Sequence, residues 1–433
     1  MGAYSKMDIS SQQLAISKEL LGLSDVEIEE VKVTRDNEII IKVRSTKTEI
    51  NCHRCGGLTK PYGKGTPLKL RHLPILGKKT FIEITPPRGI CPHCDNNPTT
   101  TQTLSWHERN AHQTKAYEQH ILLSMINSTI ADVNIREELS GTTIQRIIDS
   151  HIHDKIDWKT IKELGIIGID EISLKKGYRD FVTIITHRVN HEIKILTVIN
   201  GREKSSIKAF FSAIPHKKCK TIIAICCDMY DGYINAAKEV FGQTIAIVVD
   251  RFHIAKLYRK SLVALRKKEL VRLRKELPEE IYQSLKLAIS ILVKKQECVT
   301  KADKKELEVL FRYSPLLKVA YRLARQLTGI FNTRHRKRVA EDKINQWILK
   351  AKASQVNCFD RFIETLIKYK DEVSNYFINR NTSGFVEGLN NKVKVIKRRC
   401  YGIFNIKHLF QRIFLDLQGY KLFNINQSVA TAS

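Results

Sequence analysis

The chain has 433 residues, of which 42% are apolar, so it is long enough for about two to four domains with hydrophobic cores of their own. Its formal net charge of +28 favours a polyanionic partner, with nucleic acid preferred over ribosomal or membrane-surface binding. No apolar run approaches the roughly 20 residues that cross a bilayer, and neither a secretory signal nor a myristoylation pattern is visible. Ten cysteines do not make a disulfide scaffold in a chain this long, so we expect a soluble, cytoplasmic protein whose thiols are reduced or bound to metal.

Residues 1–105 are predicted to form a zinc-binding module, because they contain two Cys-x-x-Cys knuckles. Such knuckles present four thiolates tetrahedrally to Zn²⁺. The four thiols are Cys52, Cys55, Cys91 and Cys94. The interval between the knuckles is longer than the usual ~15–20 residues, and we expect a hairpin with strands near 68–73 and 80–85 to fill it. Four unligated buried thiols are the alternative, and His53 and His93 are interpreted as bystanders.

Residues 106–158 are predicted to contain a DNA-binding helix-turn-helix. A helical segment over 114–128 precedes the motif, whose first helix is expected over 130–139. After a turn at Ser140, the second helix of the motif is expected with Thr142 as its N-cap. The second helix of this motif reads DNA. The side chains predicted to face DNA are Thr143, Gln145 and Arg146. An ordinary helical connector is the alternative.

Residues 159–258 are predicted to form the first part of a catalytic core. The run from Gly165 to Asp170 is apolar until it ends on carboxylates, which is typical of a strand buried on both faces. Two more strands follow, and then helices alternate with strands. These elements are expected over residues 181–187, 192–200, 205–212, 221–227, 233–241 and 244–249, with a final helix from His253. The order βββαβαβα is that of a ribonuclease H-like domain, so the predicted fold class is α/β.

Two carboxylates are expected to meet in this core. Strands one and four are neighbours in a ribonuclease H-like sheet, so Asp170 and Asp228 should lie side by side. Adjacent carboxylates raise each other's pKa unless a cation is bound, and a pair of Mg²⁺ ions about 4 Å apart suits in-line phosphoryl transfer. A single Asp at a strand end is often a turn former or helix cap, but two in these positions favour a metal site. Asp250 is the rival second or third acid, but Asp250-Arg-Phe-His253 is expected to tune the site or bind beside it. Glu171 ranks lower because it would point to the opposite face.

Residues 259–376 are predicted to be an all-α insertion that binds DNA. The stretch 251–350 contains 26 Lys or Arg and 10 Asp or Glu, a net charge of +16, and its leucines recur at helical spacing. A solvated helix face is the usual alternative for a charge run, but it rarely leaves so large an excess uncompensated. The strongest phosphate-contact candidates are Arg334, Arg336, Lys337 and Arg338.

Residues 377–433 are predicted to supply the C-terminal helices of the core. Glu387 lies in the first turns of a helix whose apolar residues occupy a different face. An acid with amides and bases beside it can ligate metal while its neighbours grip phosphates. A Glu favoured by the helix dipole is the alternative, and it is the stronger reading when this helix is taken alone. The bases predicted to contact DNA here are Lys394, Lys397, Arg398 and Arg399.

Taken together, these motifs resemble the bacterial insertion-sequence transposases of the ISL-three family, in the DDE transposase superfamily. The resemblance implies that Asp170, Asp228 and Glu387 are the acidic triad. One departure is Gly384, in a motif where Asn often precedes the Glu by a few residues; Asn381 is expected to serve, and the triad is unaffected. The matching motifs are the two knuckles, Ile167-Gly-Ile-Asp170-Glu, Asp228-Met-Tyr with Tyr233, Asp250-Arg-Phe-His253, Ser383-Gly-Phe-Val-Glu387-Gly-Leu-Asn390-Asn-Lys, Lys397-Arg-Arg and Tyr401-Gly.

The resemblance implies a DNA transposase that uses Mg²⁺ or Mn²⁺ to cut a strand at the element's end and to join the exposed 3′-hydroxyl to target DNA. The zinc module and helix-turn-helix would recognise the terminal inverted repeats, and the basic insertion would hold flanking or target DNA. A homodimer or higher oligomer, associated with the bacterial nucleoid, is expected. Two alternatives stay open: a non-catalytic zinc-ribbon regulator with a decayed core, and a ribonuclease H-like nuclease or resolvase that cuts without joining.

Overall fold

The structure is a computed structural model of the chain. It describes residues 18–174, 181–294, 296–381, 384–400, 402–403 and 405–424. Contacts between residues divide the chain into two compact units, one made of residues 1–152 with 418–433 and the other of residues 153–417. None of the described helices is long and apolar enough to cross a membrane.

The first unit begins with two small sheets. A short helix precedes seven strands: α1 Lys18–Leu21, β1 Val26–Val33, β2 Ile39–Ser45, β3 Lys60–Lys64, β4 Leu68–Ile75, β5 Lys78–Ile84, β6 Pro87–Ile90 and β7 Thr99–Thr101. Strands β1-β2-β5-β4 form one sheet, whose buried face includes Ile41, Leu70 and Ile82, and β3-β6-β7 form the other. The antiparallel pair β4–β5 is the hairpin predicted between the knuckles.

Three helices follow in the same unit: α2 Lys115–Met125, α3 Ile130–Glu137 and α4 Gly141–His151. Their apolar residues are buried, among them Ile144, Ile147 and Ile148 on α4. The predicted cap at Thr142 is wrong. The hydroxyl of Ser140 accepts the N–H of Thr143 at 3.1 Å, because the backbone is still extended at Ser140 and already helical one residue later.

The second unit is built around a five-stranded sheet. Its strands are β8 Gly165–Ser173, β9 Phe181–Val189, β10 Glu192–Asn200, β11 Ile222–Cys227 and β12 Ala246–Val249, and the helices among and after them are α5 Lys204–Ser212, α6 His216–Cys219, α7 Asp231–Phe241 and α8 Arg251–Glu276. The strand order is β10-β9-β8-β11-β12, with β10, β9 and β8 antiparallel and β8, β11 and β12 parallel. This confirms the predicted ribonuclease H-like order. The first five residues of β8 are buried, as its apolar run requires.

The remaining regular elements are helical throughout the described part of the predicted insertion. They are α9 Glu279–Ile291, α10 Lys301–Tyr313, α11 Pro315–Asn332, α12 Lys337–Ala353, α13 Asp360–Lys368, α14 Lys370–Ser374 and α15 Tyr376–Asn379, followed by α16 Gly384–Arg399 and α17 Ile406–Phe423. Insertion and sheet share one apolar core, and Asn375 donates its side-chain N–H to the carbonyl of Ile247 at 2.9 Å. The predicted limit at residues 258 and 259 falls inside α8, and the domain limits stay predictions.

Candidate functional site

The two cysteine knuckles lie on either side of a common centre. Cys52 and Cys55 precede β3, while Cys91 and Cys94 lie between β6 and β7. All four Sγ atoms are within 4.8 Å of one another, with 4.0 Å between Cys52 and Cys94 and 3.6 Å between Cys55 and Cys91. Four sulfurs at tetrahedral corners around one Zn²⁺ are about 3.8 Å apart, given a Zn–S distance of about 2.3 Å. The cluster therefore fits Zn²⁺.

Backbone groups prepare the thiols of this cluster for metal. Backbone N–H donors, first that of Cys55 and then that of Arg54, lower the pKa of Cys52 to about 6. The neighbouring thiols, first among them Cys55, raise the pKa of Cys94 to about 12, so ionising all four requires a cation between them. His53 bonds to the hydroxyl of Thr100 at 3.0 Å, which agrees with its interpretation as a bystander.

The predicted pair of acids meets toward the carboxyl ends of two neighbouring inner strands of the five-stranded sheet. Asp170 lies in β8, and Asp228 directly follows β11. Cys226 pairs with Gly168 in the parallel ladder between these strands, so the residues two positions further along each strand come side by side. Asp250 follows β12, which is the next strand of the same ladder.

Asp170 is held in an environment that disfavours its ionised form. Burial, and then the Asp228 carboxylate, raise the pKa of Asp170 to about 7. Two donors hold its oxygens, the N–H of Glu171 at 2.7 Å and the side-chain N–H of Asn390. The Oδ1 atom of Asn390 is buried and has no hydrogen-bond partner among the described residues. The side-chain oxygens of Asp170, Asp228 and Asn390 are the kind of ligand that a hard divalent metal prefers. Two of them belong to carboxylates whose mutual repulsion a cation would relieve.

His253 is the partner of Asp228 at this end of the sheet. Its Nε2 atom lies 2.9 Å from Oδ1 of Asp228, and this hydrogen bond raises the pKa of His253. Asp250 plays a different part, since it is buried and its carboxylate accepts the N–H of Phe252 at 2.9 Å as the N-cap of α8. The helix-capping alternative therefore describes Asp250, the rival acid.

Helix α16 packs against β8 and carries the third predicted acid. Glu387 lies in this helix, one turn before Asn390, and its side chain lies outside the described part of the structure. Asn390 is a site residue that sequence reasoning did not assign, and its spacing of three residues from Glu387 was the one available signal. The motif that contains His253 was expected beside the site, but without a partner for His253.

The bases of α16 differ in their surroundings. Lys394 and Arg398 are exposed. Lys397 donates to the carbonyl of Ser173 at 2.7 Å. Arg399 pairs with the buried carboxylate of Asp416 at 2.8 Å, so its charge is already compensated.

The other predicted DNA contacts lie on α4 and before α12. On α4, Gln145 donates to Asp149 at 3.1 Å and the exposed Arg146 donates to Gln113 at 3.3 Å, while the Thr143 hydroxyl lies 2.8 Å from that of Ser140. Before and at the start of α12, three side chains are exposed and make no ion pair with a described residue. They are Arg334, Arg336 and Arg338. Lys337 between them pairs with Asp371 at 2.5 Å.

Comparison with known families identifies the same modules in the same order. A family model described as a transposase, of the ISL3 type of DDE transposase, matches residues 167–413. The helix-turn-helix domain of transposase family ISL3 matches residues 102–152. The zinc finger of the transposases IS204, IS1001, IS1096 and IS1165 matches residues 48–94. The predicted zinc module and helix-turn-helix are thereby confirmed, and the family match and the four-cysteine cluster together support Zn²⁺.

Curated proteins give the same result over most of the chain. It is similar to the transposase for insertion sequence element IS1001 of Bordetella parapertussis, with 23% identity over 86% of this chain and 90% of that protein. It is also similar to the transposase for element IS1557 of Mycobacterium tuberculosis, with 21% identity over 92% and 93%. A solved Drosophila P element transposase strand transfer complex aligns with 12% identity and a TM-score of 0.42 over 72% of this chain and 94% of that chain. Because the transposase model spans more than half of its length, the chain belongs to the ISL3 family of DDE transposases, DNA-binding enzymes that use divalent metals to cut and join DNA.

Proposed function

We propose that Asp170, Asp228 and Glu387 are the catalytic residues of this transposase and the ligands of its Mg²⁺ or Mn²⁺ ions. The observation that carries the proposal is that Asp170 and Asp228 lie side by side on the neighbouring strands β8 and β11, since a buried carboxylate beside a second one is unfavourable until a cation joins them. The contact between Asn390 and Asp170 supports the third acid, because Glu387 lies one helical turn from Asn390.

The surrounding residues fix the direction of the two described carboxylates. His253 holds one oxygen of Asp228, while the Glu171 N–H and the Asn390 amide each hold an oxygen of Asp170. Such outer partners orient metal ligands and tune their basicity. When bound, divalent ions supply a polarised water or 3′-hydroxyl as the nucleophile and neutralise the charge that develops on the phosphate.

Recognition of the element's terminal inverted repeats is assigned to the zinc module and to α4, through Thr143, Gln145 and Arg146. Flanking or target DNA is assigned to the basic insertion and to α16. The proposed contacts there are Arg334, Arg336, Lys337, Arg338, Lys394, Lys397, Arg398 and Arg399. The exposed, unpaired arginines before α12 support this assignment, whereas Lys337 and Arg399 are the weakest members of the set because each already pairs with an acid.

The active form is proposed to be a homodimer or a higher oligomer assembled on nucleoid DNA, since both ends of an element have to be cut together. The segments that carry these roles are proposed to be 1–105, 106–158, 159–258, 259–376 and 377–433. The shared apolar core of sheet and insertion supports the joint action of segments 159–258 and 259–376 in catalysis.

The test is strand cleavage and joining on a duplex that carries the element's end, with Mg²⁺ or with EDTA. Wild type is compared with Asp170→Ala and Glu387→Ala. We expect cleavage and joining in the wild type only, and only with metal. Cleavage without joining would favour a nuclease, and tight end binding without metal-dependent chemistry would favour a regulator.

A further inference from the structure

Arg202, which follows β10, lies in a cluster that the catalytic assignment does not use. Its guanidinium is 4.7 Å from the ring centre of Phe181 and 5.0 Å from that of Tyr230. Its Nη1 atom donates to both carboxylate oxygens of Glu171, at 3.1 and 3.0 Å. Stacking on two rings and an ion pair together fix the plane of the guanidinium.

Two of the three partners of Arg202 are close in sequence to the described acids, and the third, Phe181, begins β9. Glu171 directly follows Asp170 in β8, and Tyr230 lies two residues after Asp228, whose carbonyl accepts the Tyr230 N–H at 2.8 Å. The guanidinium is tied to the same end of the sheet as the acids, although it is 31 residues from Glu171 in sequence.

One edge of the guanidinium is left for another partner. Nε and Nη2 make no hydrogen bond to any described residue, and the side chain is 40% exposed. These two N–H groups point in parallel and match two oxygens of one phosphate, which is the geometry of bidentate Arg–phosphate recognition. An arginine that served only to brace the sheet would not need a stacked, oriented fork whose Nε and Nη2 are free of described partners.

From these contacts we infer that Arg202 binds a phosphate of the DNA strand being cut, next to the scissile phosphate, and that Glu171 positions Arg202 for this task. The inference rests on the proposed catalytic role of Asp170 and Asp228. A cation at this point offsets the repulsion between the DNA backbone and the acidic end of the sheet. Glu171 is thus an anchor for Arg202 rather than a metal ligand.

The experiment couples a protein change to a DNA change. Wild type, Arg202→Gln and Arg202→Lys cut end duplexes in which one phosphate at a time, on either side of the scissile one, is a neutral methylphosphonate. Lys208→Gln is the matched control, because Lys208 lies in α5, the helix that follows Arg202. The substitution removes the same charge and one ion pair, which joins Lys208 to Glu239 at 2.9 Å. Thermal unfolding is recorded for every variant.

We expect Arg202→Gln to lower the cleavage rate on normal DNA about 10- to 100-fold, as the loss of a charged hydrogen bond to phosphate predicts. One methylphosphonate position should slow the wild type by a similar factor and slow Arg202→Gln no further. Arg202→Lys keeps the charge but not the fork and should fall in between, and it carries the same test if Arg202→Gln fails to fold.

The inference would be overturned if every methylphosphonate position slowed cleavage by the Arg202 variants as much as it slows cleavage by the wild type. Arg202 would then be a structural brace. A loss in Lys208→Gln as large as that in Arg202→Gln would overturn the inference as well. The proposed function is tested separately by Asp170→Ala on unmodified DNA. If that variant still cuts, the acidic site is wrong; if it is dead and no coupling is found, only the role of Arg202 is wrong.

Discussion

Replacing Asp170 with Asn should stabilise the metal-free enzyme while abolishing its activity. The rise in the pKa of Asp170 from its ordinary 3.8 to about 7 means that the ionised carboxylate is disfavoured in the folded protein by at most about 4 kcal/mol. An amide of the same shape removes that charge, and its oxygen still accepts from the Glu171 N–H or the Asn390 amide. The stabilisation should be about 1–4 kcal/mol at pH 8, since relaxation and water reduce the upper value.

The stability difference between Asp170→Asn and wild type should depend on pH. Because the folded pKa lies above the unfolded one, the penalty on wild type is fully present above about pH 7 and fades as pH falls toward 3.8. The advantage of Asp170→Asn should therefore shrink to about 1.6 kcal/mol or less at pH 5. Mg²⁺ should raise the stability of the wild type at pH 8 and leave that of the variant nearly unchanged.

The assay is urea-induced unfolding in EDTA at pH 8 and pH 5, with strand cleavage measured on the same preparations. Asp154→Asn is the control, because Asp154 is exposed in the same unit and its removal changes the net charge equally. A variant that is less stable than wild type at pH 8, or an advantage that does not change with pH, would refute the reasoning about the buried acid.

Cys91→Ser should reduce bound zinc from one ion per chain to nearly none by atomic absorption, whereas the exposed Cys298→Ser should keep it; full zinc in Cys91→Ser would contradict the four-sulfur site. His253→Gln should weaken Mn²⁺ binding about 10- to 100-fold in a metal titration, because Asp228 loses its orienting partner, and unchanged affinity would show that the contact is idle. Ser140→Ala should cost about 1 kcal/mol of stability and weaken binding of the element's end, with Thr142→Ala as the control that leaves the cap intact.

The catalytic sheet and the zinc knuckles were predictable because each has a strong local signal. The buried run before Asp170 and the alternation of helices with strands after residue 200 fix the sheet order through general rules of connection. The Cys-x-x-Cys spacing is equally direct, since few other arrangements bring four thiols together. These signals depend on residues that are close in sequence, and so they can be recognised from the sequence.

Other features depend on tertiary contacts and escaped prediction. Strands β3, β6 and β7 are short, and every residue of β3 is exposed, so they carry no apolar period. The N-cap is Ser140 and not Thr142, because a Ser and a Thr two residues apart offer the same capping chemistry. The contact of Asn390 with Asp170 joins residues 220 apart, and no local pattern reports it.

Asp170, Asp228 and Glu387 are proposed to bind the catalytic ions. The most direct measurement is cleavage of the end duplex by variants in which each acid in turn is replaced by Cys, in Mg²⁺ and in Mn²⁺, with Asp250→Cys beside them. A thiolate accepts Mn²⁺ better than Mg²⁺, so each of the three variants should be inactive in Mg²⁺ and regain cleavage in Mn²⁺. Recovery in Asp250→Cys but not in Glu387→Cys, or recovery at none of the three, would contradict the claim.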